Sequence, residues 1–378
     1  MPESKPVILQ VLPALQAGGV ERGTVEMARA IVEAGGVALV ASAGGRLAAQ
    51  VERAGGRNIL LPLDTKSPIG IWRNAGKLEQ IIRGEKVSLV HARSRAPAWS
   101  AWLAARRVGV PFVTTYHGVY NEDLPFKRRY NAVMARGDRV IAISEFVAKI
   151  VRERHGVEPA RIRVIHRGAD TALFDPDAVK PDRILKLLRA WRLPDGVPVV
   201  MLPGRVTRWK GQAVLIEALA QMARRDVMAV LVGDAQGRTT YTAELEKLAH
   251  RLGVADRVRL VGHCDDMPAA LKLSNVVVNA STDPEAFGRV VVEAQAMGRA
   301  VVASDHGGAV ETIVPGETGW RVPPGDAAAL AAVLDQVLAM DEPELAALGA
   351  RARASVLAQF SVAALQAKTL DVYEELLR

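Results

Sequence analysis

The sequence has one cysteine, Cys264, in 378 residues. A lone thiol excludes a disulfide framework and suits a reducing compartment. Phe, Trp and Tyr together make up 4% of the chain, and no RRM or helix-turn-helix signature accompanies them, which argues against nucleic acid as the partner. No apolar run is long enough to span a bilayer. No secretory leader is expected either. VILQVLPAL, residues 7–15, is apolar but short, has no charged lead-in and runs into a glycine loop, so it is expected to be a buried first strand of a cytoplasmic protein. Two familiar nucleotide loops are absent as well. GGVERG at 18–23 follows that strand and opens a helix, where a phosphate can sit, yet it lacks the G-x-G-x-x-G fingerprint. It has the Gly18-to-Gly23 spacing of a Walker A loop, but Thr24 follows instead of lysine. NAD and ATP are therefore not indicated. The loop is open to two readings, a tight structural turn or a ligand loop whose Gly18 and Gly19 allow close backbone approach.

What the chain does contain is a full globular composition, 49% apolar and 24% charged, at a length that points to two or three domains. The net charge of +8 belongs to the first half: residues 1–180 carry 27 Lys/Arg against 17 Asp/Glu, and residues 181–378 carry 22 against 24. A basic surface favours nucleic acid, anionic lipid headgroups or an anionic substrate, and the neutral-to-acidic second half again disfavours the first of these. Short Val/Ile/Leu-rich runs alternate with amphipathic helical patterns throughout. VILQVLP, VALVASA, RNILLPL, VSLVHA, PFVTTYH and RVIAIS occupy the first half, and VPVVMLPG, VMAVLVGD, VRLVGH, NVVVNAS and AVVASD the second. Such strands indicate parallel sheets covered on both faces. Each half opens with a strand, a glycine-bearing turn and a long helix, so two doubly wound domains are expected, joined near residues 176–196 where DPDAVKPDR and LPDGVP supply breakers. Ligands of such folds bind at the carboxyl ends of the strands, and a ligand between two facing domains would be gripped by loops of both. The helices from Glu344 onward have no strand after them and are free to pack back on the first domain.

Two segments carry chemistry. GRVTRWKG, 204–211, places Arg205 at a strand end and Lys210 just ahead of a helix, where a planar fork and a point charge can clamp a diphosphate. Two solvated surface cations are the alternative. TDPEAFGRVVVEAQAMG, 282–298, sets Glu285 and Glu293 on either side of Phe287-Gly288, with a helix expected from the glycine to Gly298. The amides near Gly288, Arg289 and Val290 form the helix start, an anion site. Eight residues of helix separate two backbones by about 12 Å, whereas a glycosidase pair needs its carboxyls roughly 5 to 9.5 Å apart. The two glutamates are thus expected to address different ends of one extended ligand, with phosphates between them. A sugar–diphosphate–nucleoside fits.

These motifs resemble those of the retaining glycosyltransferases of family 4, which have the GT-B fold. The E-x7-E stretch Glu285–Glu293, the GR-x4-KG segment, GGVER and TTYHG occur in the family's order and span nearly the whole chain. Within the family, HARSRAPAWSA, FKRRYNAVMARGDRVIAISEF and LPGRVTRWKGQ look most like bacterial enzymes that add mannose to lipopolysaccharide core. The resemblance implies two facing Rossmann-like doubly wound α/β domains, residues 1–180 on the acceptor side and 181–360 holding the donor, with a C-terminal helix at 361–378 crossing back to the first. It further implies that Glu293 bonds the donor ribose and that Arg205 and Lys210 neutralise the diphosphate, aided by the amides after Phe287-Gly288 and by the Gly18-Gly19 loop. Glu285 would contact the transferred sugar, and His117 would lie beside the reacting carbon. The GHCDD segment with Cys264 would hold the nucleobase, with Asp266 the candidate for guanine. The implied donor is GDP-mannose, with a UDP-sugar (glucose or N-acetylglucosamine) as the alternative. No resident cofactor or metal is implied, and Asp175-Pro-Asp177 sits in the interdomain turn rather than at a ligand-binding strand end. Front-face attack would pass the acceptor's proton to the departing phosphate. The chain departs from the family at His166-Arg167, where Pro-Asn is usual, and at Gly36, where His is usual.

The basic excess falls on the implied acceptor side. FKRRYNAVMAR, 126–136, sets Lys127, Arg128 and Arg129 beside Phe126 and Tyr130, suited to docking on an anionic membrane or to a solvated helix face. Arg93 and Arg95 in HARSRAP sit at a strand end, where an acidic or phosphorylated acceptor such as a glycolipid would meet them. Trp99, Trp102 and Leu103 are spaced as a core stripe rather than a lipid anchor. A sugar-nucleotide epimerase of the same architecture is the rival enzyme, but it would need an acid–base pair elsewhere.

Overall fold

The computed structural model describes residues 5–16, 18–120 and 122–378, less the side chain of Pro125. The chain divides into two units, residues 1–166 with 363–378 and residues 167–362. In the first, strands β1 (Val7–Val11), β2 (Val37–Ser42), β3 (Arg57–Leu60), β4 (Leu89–Ala92), β5 (Phe112–Tyr116), β6 (Arg139–Ala142) and β7 (Ile162–Val164) form one sheet in the order 3-2-1-4-5-6-7. In the second, β8 (Val199–Pro203), β9 (Met228–Val232), β10 (Val258–Gly262), β11 (Val276–Asn279), β12 (Ala300–Ser304) and β13 (Trp320–Val322) are ordered 10-9-8-11-12-13. Every described pairing is parallel. Both sheets are doubly wound: the order reverses between β1 and β4, and between β8 and β11, which opens a crevice at the carboxyl ends of those strands. The architecture is the α/β GT-B arrangement of two Rossmann-like sheets.

The strands read as unbroken apolar runs because helices cover both faces; every residue of β8, β9, β11 and β12 is buried. Leu202, Leu219, Leu231, Val278 and Val302 belong to the second unit's core, and Ile8, Met27, Val40, Leu89 and Ile141 to the first unit's. Two strands escape the sequence pattern, β7 and β13. Each is a three-residue edge strand, too short to show a run.

The units meet along the chain at His166, earlier than the breakers at 176–196 suggest. Residues 167–180 fold with the second unit because Arg353 donates to the Phe174 carbonyl and the Asp175 carboxylate, both at 3.1 Å, and Ala169 bridges Ser361. Of the C-terminal helices, Glu342–Gln359 stays with the second unit, its Gly349 packed on the backbone of Gly298. Only the last helix, Val362–Leu377, returns to the first. It adds Val372 and Tyr373 to that core, and Arg139 and Arg163 both pair with its Glu375, at 2.6 and 2.5 Å.

Candidate active site

The second unit's crevice is built from the loops that follow β8 and β11. After β8 the chain passes Gly204 and Arg205, makes a short helical turn at Arg208–Lys210 and enters the helix Gln212–Gln221 through Gly211. Gly211 has φ +75°, and a Cβ there would stand 1.8 Å from the Ala280 carbonyl oxygen, so only glycine lets the two loops cross. The Thr282 amide donates to the Trp209 carbonyl at 2.8 Å, a second tie between them. Arg205 is exposed at the rim, while its carbonyl accepts from Gln212 Nε2. Lys210 extends over the Trp209 ring, 4.5 Å from its centroid, and its Nζ donates to Glu285 Oε1 at 2.7 Å. The Ser281 hydroxyl donates to that same oxygen at 2.5 Å. The Lys210 and Glu285 side chains are 17% and 13% exposed, so the pair is partly desolvated yet open to a ligand.

Past Glu285 the chain turns at Gly288, φ +80°, into the helix Arg289–Ala296. Phe287 is buried against Phe360 and anchors the turn, with ring centroids 6.3 Å apart. The first amides of this helix, those of Arg289 and Val290, present donors where an anion can accept them, while the Val291 amide donates to the Gly288 carbonyl at 3.0 Å. One turn in, Glu293 pairs with Arg289 at 2.9 Å. The structure therefore brings Lys210 and Glu285 together at the ends of β8 and β11, three residues before the Gly288 helix start, leaves Arg205 exposed in the loop after β8, and puts Glu293 farther along the same helix.

The GHCDD segment follows β10. Cys264 is buried, which pushes its thiol pKa up. Asp266 differs from the expectation of a guanine-reading carboxylate. Arg183 Nε and Nη2 bind its two oxygens at 2.8 and 2.6 Å, and it also caps the helix Met267–Leu273 through the Ala269 amide. The Arg183 hydrogen bonds hold its carboxyl below the usual range, and a base would have to displace a bidentate guanidinium to use it.

In the first unit, Gly18 has φ +146° and precedes the helix Gly19–Glu33, and the Glu21 carboxylate lies against it: a Cβ on Gly18 would stand 2.5 Å from Glu21 Oε2. His117 follows β5 directly and is half-buried. Arg93 departs from its expected place on an acceptor-facing surface. It is 5% exposed, donates to Gln10 Oε1 at 3.2 Å and reaches Gly23 of the first helix. Burial lowers its pKa, against the opposing fields of Tyr373 and Glu26. Arg95 lies 4.1 Å over the Tyr120 ring and donates to Asn131 Oδ1 at 2.8 Å, so it too is engaged by the fold. Arg128 and Arg129 are exposed, Lys127 is half-buried, and Phe126 beside them is 66% exposed. Trp99 donates to the Tyr130 carbonyl and meets Trp102 edge-on, a packing role.

Ser281, Trp209, Arg183 and the residues 306–308 shape the site without standing out in the sequence. His306 Nε2 donates to the Ser281 carbonyl at 2.8 Å, and the Gly308 amide to the Glu285 carbonyl at 2.8 Å. The His306-Gly307-Gly308 triplet is the one signal available: a Cβ on Gly307 or Gly308 would lie 2.6 or 2.3 Å from the carbonyl oxygens of Glu285 or Ala286.

Comparison with known proteins supplies the identity of this arrangement. Residues 185–355 match the family described as glycosyl transferases group 1, and residues 17–173 match glycosyltransferase family 4. Over 309 residues the chain is 33% identical to D-inositol 3-phosphate glycosyltransferase of Xylanimonas cellulosilytica, covering 76% of this chain and 72% of that protein. The crystal structure of a glycosyltransferase from Rickettsia africae is similar with a TM-score of 0.91 and 37% identity over 99% of both chains. Anabaena HepE in complex with UDP-glucose is similar with a TM-score of 0.81 and 28% identity, over 98% of this chain and 100% of that one. The class is thereby fixed as a GT-B glycosyltransferase. Within that class the chain belongs to glycosyltransferase family 4, with the group 1 glycosyl transferase match in its second half.

Proposed function

We propose that the chain is a retaining hexosyltransferase that takes its sugar from a UDP-hexose and passes it to a phosphorylated polyol or an anionic glycolipid. The observation that carries this is the Lys210–Glu285 pair just ahead of the Arg289–Ala296 helix start, with Arg205 exposed in the same loop as Lys210. Two cations and a row of amides suit a leaving diphosphate, whose developing charge they stabilise in the transition state. Glu285 is placed to bond hydroxyls of the departing sugar, and Glu293, farther along the helix, to hold the nucleoside end. Front-face attack sends the acceptor's proton to the departing phosphate oxygen and needs no covalent nucleophile.

The complex of the Anabaena relative with UDP-glucose supports a UDP-sugar. The name of the Xylanimonas relative supports an acceptor that bears a phosphate. The alternative of GDP-mannose would need its guanine to displace Arg183, which binds both oxygens of Asp266. If the acceptor is a glycolipid, the exposed Phe126 beside Arg128 and Arg129 suits peripheral docking on an anionic membrane face.

Calorimetry of UDP, GDP and ADP with UDP-glucose, UDP-N-acetylglucosamine and GDP-mannose, on wild type and Lys210→Ala, tests the donor. Selective UDP-sugar binding that weakens in the variant is expected. Selective GDP-mannose binding would return the mannosyl reading, and silence across the panel would remove the donor site. Release of free nucleoside diphosphate only when D-inositol 3-phosphate or a lipopolysaccharide-core acceptor is added separates transfer from epimerisation.

A further inference from the structure

We propose that Ser281 and His306 are positioning residues for Glu285, and that together they keep its carboxylate in place while Lys210 is engaged by the donor. The inference rests on the reading above that Glu285 contacts the transferred sugar. Glu285 Oε1 receives two donors, Lys210 Nζ at 2.7 Å and Ser281 Oγ at 2.5 Å. Lys210 has two duties in that reading: it neutralises the diphosphate and it holds the glutamate. A phosphate that draws the ammonium toward itself weakens the second duty. Ser281 has no such conflict. Its side chain is a hydroxyl on a residue 2% exposed, short and rotamerically cheap to fix, so its hydrogen bond persists whatever Lys210 does.

The backbone beneath the carboxylate is held at both ends of its turn by the loop after β12. His306 Nε2 donates to the Ser281 carbonyl at 2.8 Å, and the Gly308 amide donates to the Glu285 carbonyl at 2.8 Å. A carbonyl only accepts, so Nε2 of His306 carries its hydrogen. Gly307, φ +67°, lets this loop come close enough: a Cβ there would be 2.6 Å from the Glu285 oxygen. Residues 306–308 thus form a clasp across 281–285, and Thr282 is tied to Trp209 on the other side at 2.8 Å. A site group is useful only when its neighbours fix its rotamer and its backbone. Here Ser281 does the first and His306 the second.

The test compares Ser281→Ala, His306→Ala and His306→Gln in the full chain, with UDP-glucose and GDP-mannose run in parallel as donors and UDP and GDP as binding probes. Ser281→Ala is expected to lower kcat about tenfold, the effect of one well-placed hydrogen bond, with the Kd of the free nucleoside diphosphate within twofold of wild type. His306→Ala should show the same split at about fivefold. His306→Gln should recover most of the loss, because its amide nitrogen can donate to the same carbonyl. Nucleotide affinity falling in step with kcat would overturn the proposal, as would His306→Gln behaving like His306→Ala. Glu285→Ala separates the layers. Wild-type turnover in Glu285→Ala would sink the underlying reading, whereas an inactive Glu285→Ala with unaltered Ser281→Ala and His306→Ala would sink this inference alone.

Discussion

The two crevices of this molecule are built on the same plan and use their cations in opposite ways. In each sheet the strand order reverses at the centre, and in each a basic residue follows one of the two strands at the reversal: Arg93 after β4 and Lys210 after β8. Arg93 is 5% exposed and bonded to Gln10, itself fully buried, whose amide in turn donates to the Thr24 carbonyl. Lys210 keeps 17% of its side chain exposed and pairs with a glutamate that is itself a candidate ligand group. The difference teaches that a cation at a switch point is not a ligand group by position alone. What decides is whether its partner can be exchanged for a ligand. Gln10 is locked in the floor of the first sheet, so Arg93 holds the fold; Glu285 keeps a second donor in Ser281, so Lys210 can turn to a ligand without leaving the carboxylate unpaired.

The widest contrast is expected from removing the two cations. Lys210→Ala should lower turnover by about 10²–10³-fold, the scale seen when one preorganised transition-state charge or donor is lost, with little change in thermal stability. Arg93→Met, which keeps the volume and drops the charge, should do the reverse. It leaves Gln10 Oε1 without its partner in a buried site, a cost of about 1–3 kcal/mol in stability, while turnover stays within about threefold of wild type. Steady-state kinetics and urea unfolding on both variants read the two effects. An acceptor KM raised tenfold in a stable Arg93→Met would break the comparison and return Arg93 to the acceptor side.

Much of the fold was legible because both sheets are covered on both faces, which forces strands such as VVMLP and MAVLV to be apolar throughout. The edge strands β7 and β13 were not, since three residues show no pattern. At the site, the pair that meets across a single loop crossing was readable: Lys210 and Glu285 lie in short segments with glycine where the backbone must bend. The tuning contacts were not readable, because each joins distant stretches. Arg183 is 83 residues from the aspartate it binds, and His306 is 25 residues from Ser281. Burial was the other gap. HARSRAP does not say that Arg93 points inward while Arg95 stacks on Tyr120, because both follow the same strand and differ only in which side of the turn they leave.

A second difference between the crevices sharpens the comparison. The first unit's floor is tied to the C-terminal helix, where His91 Nδ1 shares a hydrogen bond with Tyr373 Oη at 2.6 Å and Nε2 shares one with Thr115 Oγ1 at 2.7 Å. Burial, with a smaller contribution from Arg93, lowers the His91 pKa well below its ordinary value, so the ring is neutral at pH 7. Tyr373→Phe should cost about 1–2 kcal/mol in stability by leaving one ring nitrogen unpaired in the core, with nucleotide affinity unchanged. A loss of nucleotide affinity in this variant, at equal stability, would show that the helix serves the ligand rather than the floor.

The smallest expected effect lies at the outer end of the same helix. Glu375 is held down to about 2 by hydrogen bonds from Arg139 and then Arg163, against an ordinary value of 4.5. A carboxyl whose folded value is depressed contributes stability that is full above about pH 4.5 and is lost as the pH falls toward 2, because the unfolded chain takes up the proton first. The group is one-third exposed, so solvent screening keeps the contribution under about 1 kcal/mol. Glu375→Gln should therefore be slightly less stable than wild type at pH 7, and the gap should close as the pH is lowered from 4.5 to 2. Urea midpoints at pH 7, 4.5 and 3 measure it. A gap that stays constant with pH would mean that the two arginines hold the helix through packing of their stems rather than through charge.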